Sequence, residues 1–184
     1  MRTSIYHEQR HLAHASLAIK NLPPTLFAAI SLIIASFLLR HHEIGGPSYW
    51  IDEMFSVYIG KHPAWNSVFW DNNPPLFHLL LKIWIRFFGD AETETRLLSA
   101  MFSTGATAVM IRVGYELYGR KGALISGLLH ATCFISIRYA QETRMYALLE
   151  FLSAANLLFF LRLTITHPTS YNEQRPGPRS VQAS

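Results

Sequence analysis

From Leu22 to Leu39 the chain runs eighteen residues without a charge. As a helix at ~1.5 Å per residue this stretch is roughly 27 Å long, close to a hydrocarbon core of about 30 Å. Three further apolar blocks follow, Leu97 to Leu117, Gly122 to Ile137 and Met145 to Leu161. The 184 residues are 50% hydrophobic and only 15% charged. Clustered in this way, that composition excludes both the single soluble domain that the length would otherwise favour and global disorder. The expectation is an all-α, polytopic membrane protein with about four transmembrane helices, near 22–40, 97–117, 122–138 and 145–163. A long extracytoplasmic first loop, 41–96, separates the first two and contains interfacial helices. Residues 1–21 and 164–184 read as tails, the second disordered. Read as a cleaved signal peptide, the first block would need an Ala-x-Ala-like site. It is followed instead by Arg40-His41-His42-Glu43, after a long polar lead, so an uncleaved anchor fits better.

Charge sets the orientation. Arg2, Arg10 and Lys20 precede the first span, Arg120-Lys121 separate the second and third, and Arg162, Arg175 and Arg179 follow the fourth. With four spans these sets share one side. The positive-inside rule makes that side cytoplasmic, with both termini there. Eight of the 12 acidic residues fall on the other side. The net charge of +4 is thus a topology signal, and with no dense basic cluster there is no reason to invoke nucleic acid. The expected location is the inner (plasma) membrane.

The first loop is longer than a connection requires and holds all four tryptophans, Trp50, Trp65, Trp70 and Trp84. Tryptophan favours the membrane–water interface. Pro75 to Phe88 carries Lys82 and Arg86 four apart among Leu, Ile, Trp and Phe, which predicts a helix lying in that interface. Four strings in or beside the extracytoplasmic face carry chemistry. Asp52-Glu53 follows Tyr49-Trp50. At an interface of lowered dielectric such carboxylates can act as a general base or hold a divalent cation, and the plainer reading is acids at a helix N-terminus. Asp71-Asn72-Asn73-Pro74-Pro75 reads as a turn into the interfacial helix. Arg96 at the mouth of the second span can snorkel or grip a phosphate at headgroup depth. Arg138 to Tyr146 packs two arginines, Gln141, Glu142 and two tyrosines into one tight turn, which either pair among themselves or meet an anionic partner. His41-His42-Glu43 is a weak metal candidate. Within the spans, His130 reads as a packed polar residue. Glu150 should face protein or a cavity.

Taken in order, these strings resemble the N-terminal region of GT-C-type membrane glycosyltransferases. The nearest are the protein O-mannosyltransferases and the lipid A aminoarabinose transferase. The resemblance rests on Asp52-Glu53 after the first span, on Pro74-Pro75-Leu76 opening an amphipathic helix that ends in Phe88-Gly89, and on Arg96-Leu97-Leu98-Ser99-Ala100. It rests also on Tyr139, Gln141, Glu142, Arg144 and Tyr146. It covers about residues 22 to 163. It implies transfer of a sugar from a polyprenyl-phosphate donor to a lipid, glycan or protein acceptor on the extracytoplasmic face. Asp52 would be the catalytic carboxylate with Glu53 beside it, and Arg96, Gln141, Arg144 and Tyr146 would stabilise the leaving phosphate. A divalent cation at Asp52/Glu53 is compatible with this. Asn73 and Leu98 depart from the His-Pro-Pro and Arg-Leu-Pro-Ser forms frequent in the family. Its members are also much longer, which implies a truncated gene, a fragment or one part of a split assembly. The competing class is a non-catalytic membrane subunit or remnant that packs with a partner membrane protein; small residues spaced at four, Gly122 and Ser126 or Ala123 and Gly127, allow close helix approach and fit either class. A small transporter fits less well, because Arg112, Glu116, His130 and Glu150 trace no path.

Overall fold

In the computed structural model, residues 24–71 and 73–166 are described, and the expected N-terminal and C-terminal tails lie outside them except at their inner edge. Every regular element among the described residues is helical. In chain order these are α1 (Pro24–His41), α2 (Ile51–Lys61), a 3-10 turn (Trp65–Phe69), α3 (Pro75–Phe88), α4 (Glu92–Ala131), α5 (Phe134–Ala140) and α6 (Tyr146–Thr166).

The first helix shows which solvent the fold is built for. Its only buried residues are Ser36 and Arg40, whereas Phe27, Ile34 and Leu38 are 54–60% exposed. A water-soluble fold would reverse that arrangement; lipid around the bundle explains it, since polar side chains must then find partners inside. Among the described residues three helices are long and apolar enough to cross a membrane: Pro24–His41, Glu92–Ala131 and Tyr146–Thr164. The chain is therefore a multi-pass membrane protein.

The 40-residue α4 is not one rod. Tyr118 and Gly119 leave the helical region, and Gly119 takes φ 64°, which a residue without a Cβ adopts freely. The helix folds back there. Ser126 Oγ donates to the Met110 carbonyl at 2.8 Å, although sixteen residues of straight helix would separate them by roughly 24 Å. A Cβ on Gly114 would strike the Gly122 carbonyl, and one on Gly127 would strike Ile111. The small residues at 122–127 thus close this internal hairpin. The turn consists of Tyr118-Gly119, with Arg120 and Lys121 already in the returning arm.

The segment expected as a third span, 122–138, consists of two helical pieces. The returning arm ends at Ala131, Thr132 and Cys133 interrupt it, and α5 completes the leg. No proline or glycine marks the break. It is held by a side chain from another helix. Arg40, fully buried, donates to the carbonyls of His130 and Ala131 at 3.2 Å each and to Ser136 Oγ at 2.7 Å.

The same guanidinium reaches Ser36 and Ser103. Ser103 also donates to Glu150 at 2.8 Å, Glu150 pairs with His130 at 3.1 Å, and His130 meets Thr107. Glu150 and His130 therefore face protein, as expected. This polar spine ties α1, both arms of α4, α5 and α6 together. Arg112, Glu116 and Arg162 pair on the surface nearer the hairpin turn.

The interfacial helix has the bounds read from the sequence. Pro74 and Pro75 start α3, and Gly89 at φ 100° ends it. Phe77 and Leu81 pack on Leu98 and Leu148, with Trp84 and Met145 around them. Trp84 Nε1 donates to the Glu94 carbonyl at 2.7 Å. This docks α3 onto the beginnings of α4 and α6. Gly60 of α2 lies against Leu81 and Ile85. The loop is thus a helical cap seated on one end of the bundle.

Candidate functional site

The cap brings the sequence-distant strings together. Asp52 and Glu53 lie in the first turn of α2, with Trp50 at its N-cap. Helix geometry turns successive residues about 100° apart, so the two carboxylates diverge. Glu53 points inward and is 1% exposed. Its Oε1 accepts from Arg96 Nε at 2.9 Å and from the Thr143 amide at 2.7 Å, and its Oε2 accepts from Arg96 NH2 at 2.7 Å. A longer contact, 3.4 Å, comes from the Trp50 amide. Asp52 points outward, with 49% of its side chain exposed and Oδ2 3.7 Å from Arg144 NH2.

Arg96 is 2% exposed. Its remaining donors go to the carbonyls of Ile44 at 2.9 Å, Pro47 at 2.7 Å and Ser48 at 3.4 Å. The five N–H groups of a guanidinium thus all meet protein acceptors. The Glu53–Arg96 pair joins the segment before α2, α2 itself, the start of α4 and the turn before α6. Such a bidentate buried pair fixes geometry more than it adds stability.

The remaining predicted residues lie at the same end. Gln141 donates to the carbonyls of His42 at 2.8 Å and Arg40 at 3.3 Å, which fixes the end of α1. Arg144, 9% exposed, donates to the Asp52 carbonyl at 3.2 Å and Ser56 Oγ at 3.4 Å. Its Nε is buried without a partner among the described residues. Tyr146 lies under the Arg144 guanidinium and packs on Tyr139 at 4.6 Å. Arg138 pairs with Glu142 at 3.1 Å, so the turn does bind part of its own charge. Yet 57% of Arg138 stays exposed. It lines two cavities, of about 150 and 370 Å³, that share Trp50, Arg138 and Glu142. Burial pushes the Glu142 carboxyl above the usual range, against the pull of Arg138.

The sequence offers the arginines of the turn to an anionic partner, and the exposed guanidinium of Arg138 lines both cavities. Thr143 was not legible in the sequence, because it acts through its backbone amide, which no side-chain pattern reveals. From its place on α3 the sequence allows His78 either to reach an outer site or simply to sit in the interface. His78 is 2% exposed, 3.6 Å from Asp71, and burial holds its imidazole below the ordinary range. Asn73 donates to Asp71 at 2.7 Å. The Asp71-to-Pro75 string therefore sets a carboxylate beside the His78 imidazole of α3, as well as starting that helix.

A divalent cation at the Asp52/Glu53 pair would compete with the Arg96 and Thr143 donors for Glu53. Among the described residues no group of three or more His, Cys, Asp or Glu could hold a metal ion, His41-His42-Glu43 included.

No curated protein and no solved structure matches the chain. A family model does: that of the dolichyl-phosphate-mannose-protein mannosyltransferases, over residues 72–171. The match takes in Arg96, Gln141, Arg144 and Tyr146, and begins downstream of Asp52 and Glu53. It spans more than half of the sequence and takes in α3 to α6, but not α2, which carries the two carboxylates. On this ground the chain belongs to the dolichyl-phosphate-mannose-protein mannosyltransferase family, glycosyltransferases of the GT-C kind.

Proposed function

We propose that the chain transfers a sugar from a polyprenyl-phosphate donor to an acceptor hydroxyl or amine on the extracytoplasmic face, with Asp52 as the base. The observation that carries this reading is the division of labour between adjacent carboxylates. Glu53 is locked by Arg96 and Thr143, and this lock presents Asp52 half-exposed beside Arg144. Two carboxylates one residue apart thereby take different roles through their surroundings. Asp52 accepts the acceptor's proton as its oxygen or nitrogen bonds to the sugar's anomeric carbon. The bond from that carbon to the phosphate oxygen breaks, and the electron pair leaves with the polyprenyl phosphate. Attack from the face opposite the leaving group inverts the anomeric centre.

Charge growing on the phosphate needs cations that are free to meet it. In this reading Arg138, exposed at the cavities, and Arg144, with its unpartnered Nε, serve that purpose. Tyr146 and Tyr139 support the Arg144 side, Gln141 holds the frame, and Arg96 is the brace behind Glu53. In this reading the cap lies on the extracytoplasmic side and Arg120-Lys121, just after the hairpin corner, in the cytoplasm, as the positive-inside rule favours. A lipid-tethered donor would reach a cap at the membrane surface by lateral diffusion.

The test is a transfer assay on the full chain in sealed vesicles, with a panel of polyprenyl-phosphate sugars and matching nucleotide sugars. Transfer from one lipid-linked donor and from no nucleotide sugar supports the reading. A folded chain inert toward every lipid-linked donor points instead to the non-catalytic subunit.

A further inference from the structure

A second cavity, of about 400 Å³, lies between the C-terminal end of α2 and the second half of α3. Along α2 it sits roughly 14 Å from Asp52, and the transfer reaction makes no use of it. Lys61, His62, Trp65, Lys82, Arg86 and Asp90 form its walls. Asp90 pairs with Lys61, which leaves two cations over.

Lys82 is only 8% exposed. Its ammonium donates to the His62 carbonyl and to Ser67 Oγ at 3.3 Å, and stands 5.7 Å from the Trp65 ring centroid. All these partners are neutral, and among the described residues no carboxylate pairs with it. Burying an ammonium without a counter-ion is costly. Burial pushes Lys82 below the usual lysine range, and an anion in the cavity would reverse that push. Arg86 follows one helical turn later on the same side. It is exposed and forms no hydrogen bond or ion pair among the described residues.

The surroundings say where the anion comes from. Ile83, Phe87 and Phe88 on α3, and Trp65 and Phe69 beside it, are 42–76% exposed. Trp65 and Ile85 line the hollow itself, and Ile83 and Phe87 flank Lys82 and Arg86 along α3; a basic hollow on so apolar a surface belongs at the depth where acyl chains meet headgroups. We infer that this cavity binds the phosphate of an anionic membrane lipid, with the Lys82 ammonium at its floor and the Arg86 guanidinium at its mouth. The bound lipid anchors the α2–α3 cap to the bilayer. The chemistry recognised is a phosphate oxyanion, and the apolar surface favours one carried on a lipid over a free ion. This site stands whether or not Asp52 is the base of a transfer reaction.

The test uses the purified full chain in neutral detergent, with lipid retention read by native mass spectrometry. Phosphatidylglycerol and phosphatidylcholine are offered in parallel, with and without millimolar inorganic phosphate. Phosphatidylglycerol should be kept in preference to phosphatidylcholine and should resist the phosphate. Arg86→Gln, at an exposed side chain with no partner to lose, should weaken retention roughly tenfold, and Lys82→Met at least as much. Equal retention of the two lipids, or unchanged retention in Arg86→Gln, overturns the site. Full displacement by inorganic phosphate overturns the lipid as its occupant.

Discussion

Glu53 accepts two N–H bonds from Arg96 and one from Thr143, so Glu53→Gln turns an amide N–H toward a guanidinium that only donates and has no atom to accept it. Removing one partner of a buried pair costs about 3–5 kcal/mol. Glu53→Gln should therefore lower the melting temperature sharply in detergent. Asp52→Asn, at a half-exposed side chain, should stay within about 0.5 kcal/mol of the unchanged chain. The adjacency of the two acids was legible in the sequence; which one faces out was not, because that depends on where α2 starts and on an arginine 43 residues away.

His78 makes a pH prediction. Burial lowers its folded pKa, so between that value and the unfolded value, near 6.5, only the unfolded chain takes up the proton. Its contribution to stability is full above about pH 6.5 and is lost as pH falls through the folded pKa. Melting temperature should fall from pH 7.5 to 5.5, and His78→Gln should flatten that fall. Glu142, with its pKa raised, acts with the opposite sign, losing stability as pH rises, so the comparison with His78→Gln isolates the imidazole. An identical slope in both proteins contradicts the buried neutral His78.

At the scale of elements, α3 was readable to the residue because Pro75 and Gly89 bound it and its apolar pattern has a helical period. The hairpin inside α4 was readable as a turn from Arg120-Lys121, but its corner is Tyr118-Gly119. Gly119→Ala must hold a Cβ at φ 64° and should cost roughly 1–2 kcal/mol. Gly114→Leu should do more damage, since its side chain meets the Gly122 backbone, which cannot yield. Thermal unfolding of both variants checks the order. Equal, small losses would mean that the arms do not close on one another. The Thr132-Cys133 break left no local signal, because its stabilising partner is on α1.

The whole molecule is organised inside out, with apolar side chains toward lipid and a spine of Arg40, Ser36, Ser103, Thr107, His130, Ser136 and Glu150 within. Arg40 looked like a flanking charge in the sequence, since it closes an apolar run. The fold turns it inward, where it reaches the carbonyls of Ala131 and His130 at the end of the returning arm. Arg40→Met should lower stability by about 3–5 kcal/mol, removing the cation near Glu150 and the side-chain donor to the Ala131 carbonyl. Arg40→Lys should recover only part, because an ammonium has three donors and no planar fork. Full recovery by lysine would mean that the charge alone matters and the carbonyl contacts do not.

The most direct test of the carboxylate assignment compares Asp52→Asn with the unchanged chain in sealed vesicles, with the lipid-linked donor that supports transfer. Both proteins are first shown to unfold at the same temperature. Asp52→Asn should lose transfer by at least a hundredfold, as removal of a general base does, while remaining folded in the membrane. Transfer at the rate of the unchanged chain in folded Asp52→Asn would show that Asp52 is not the base.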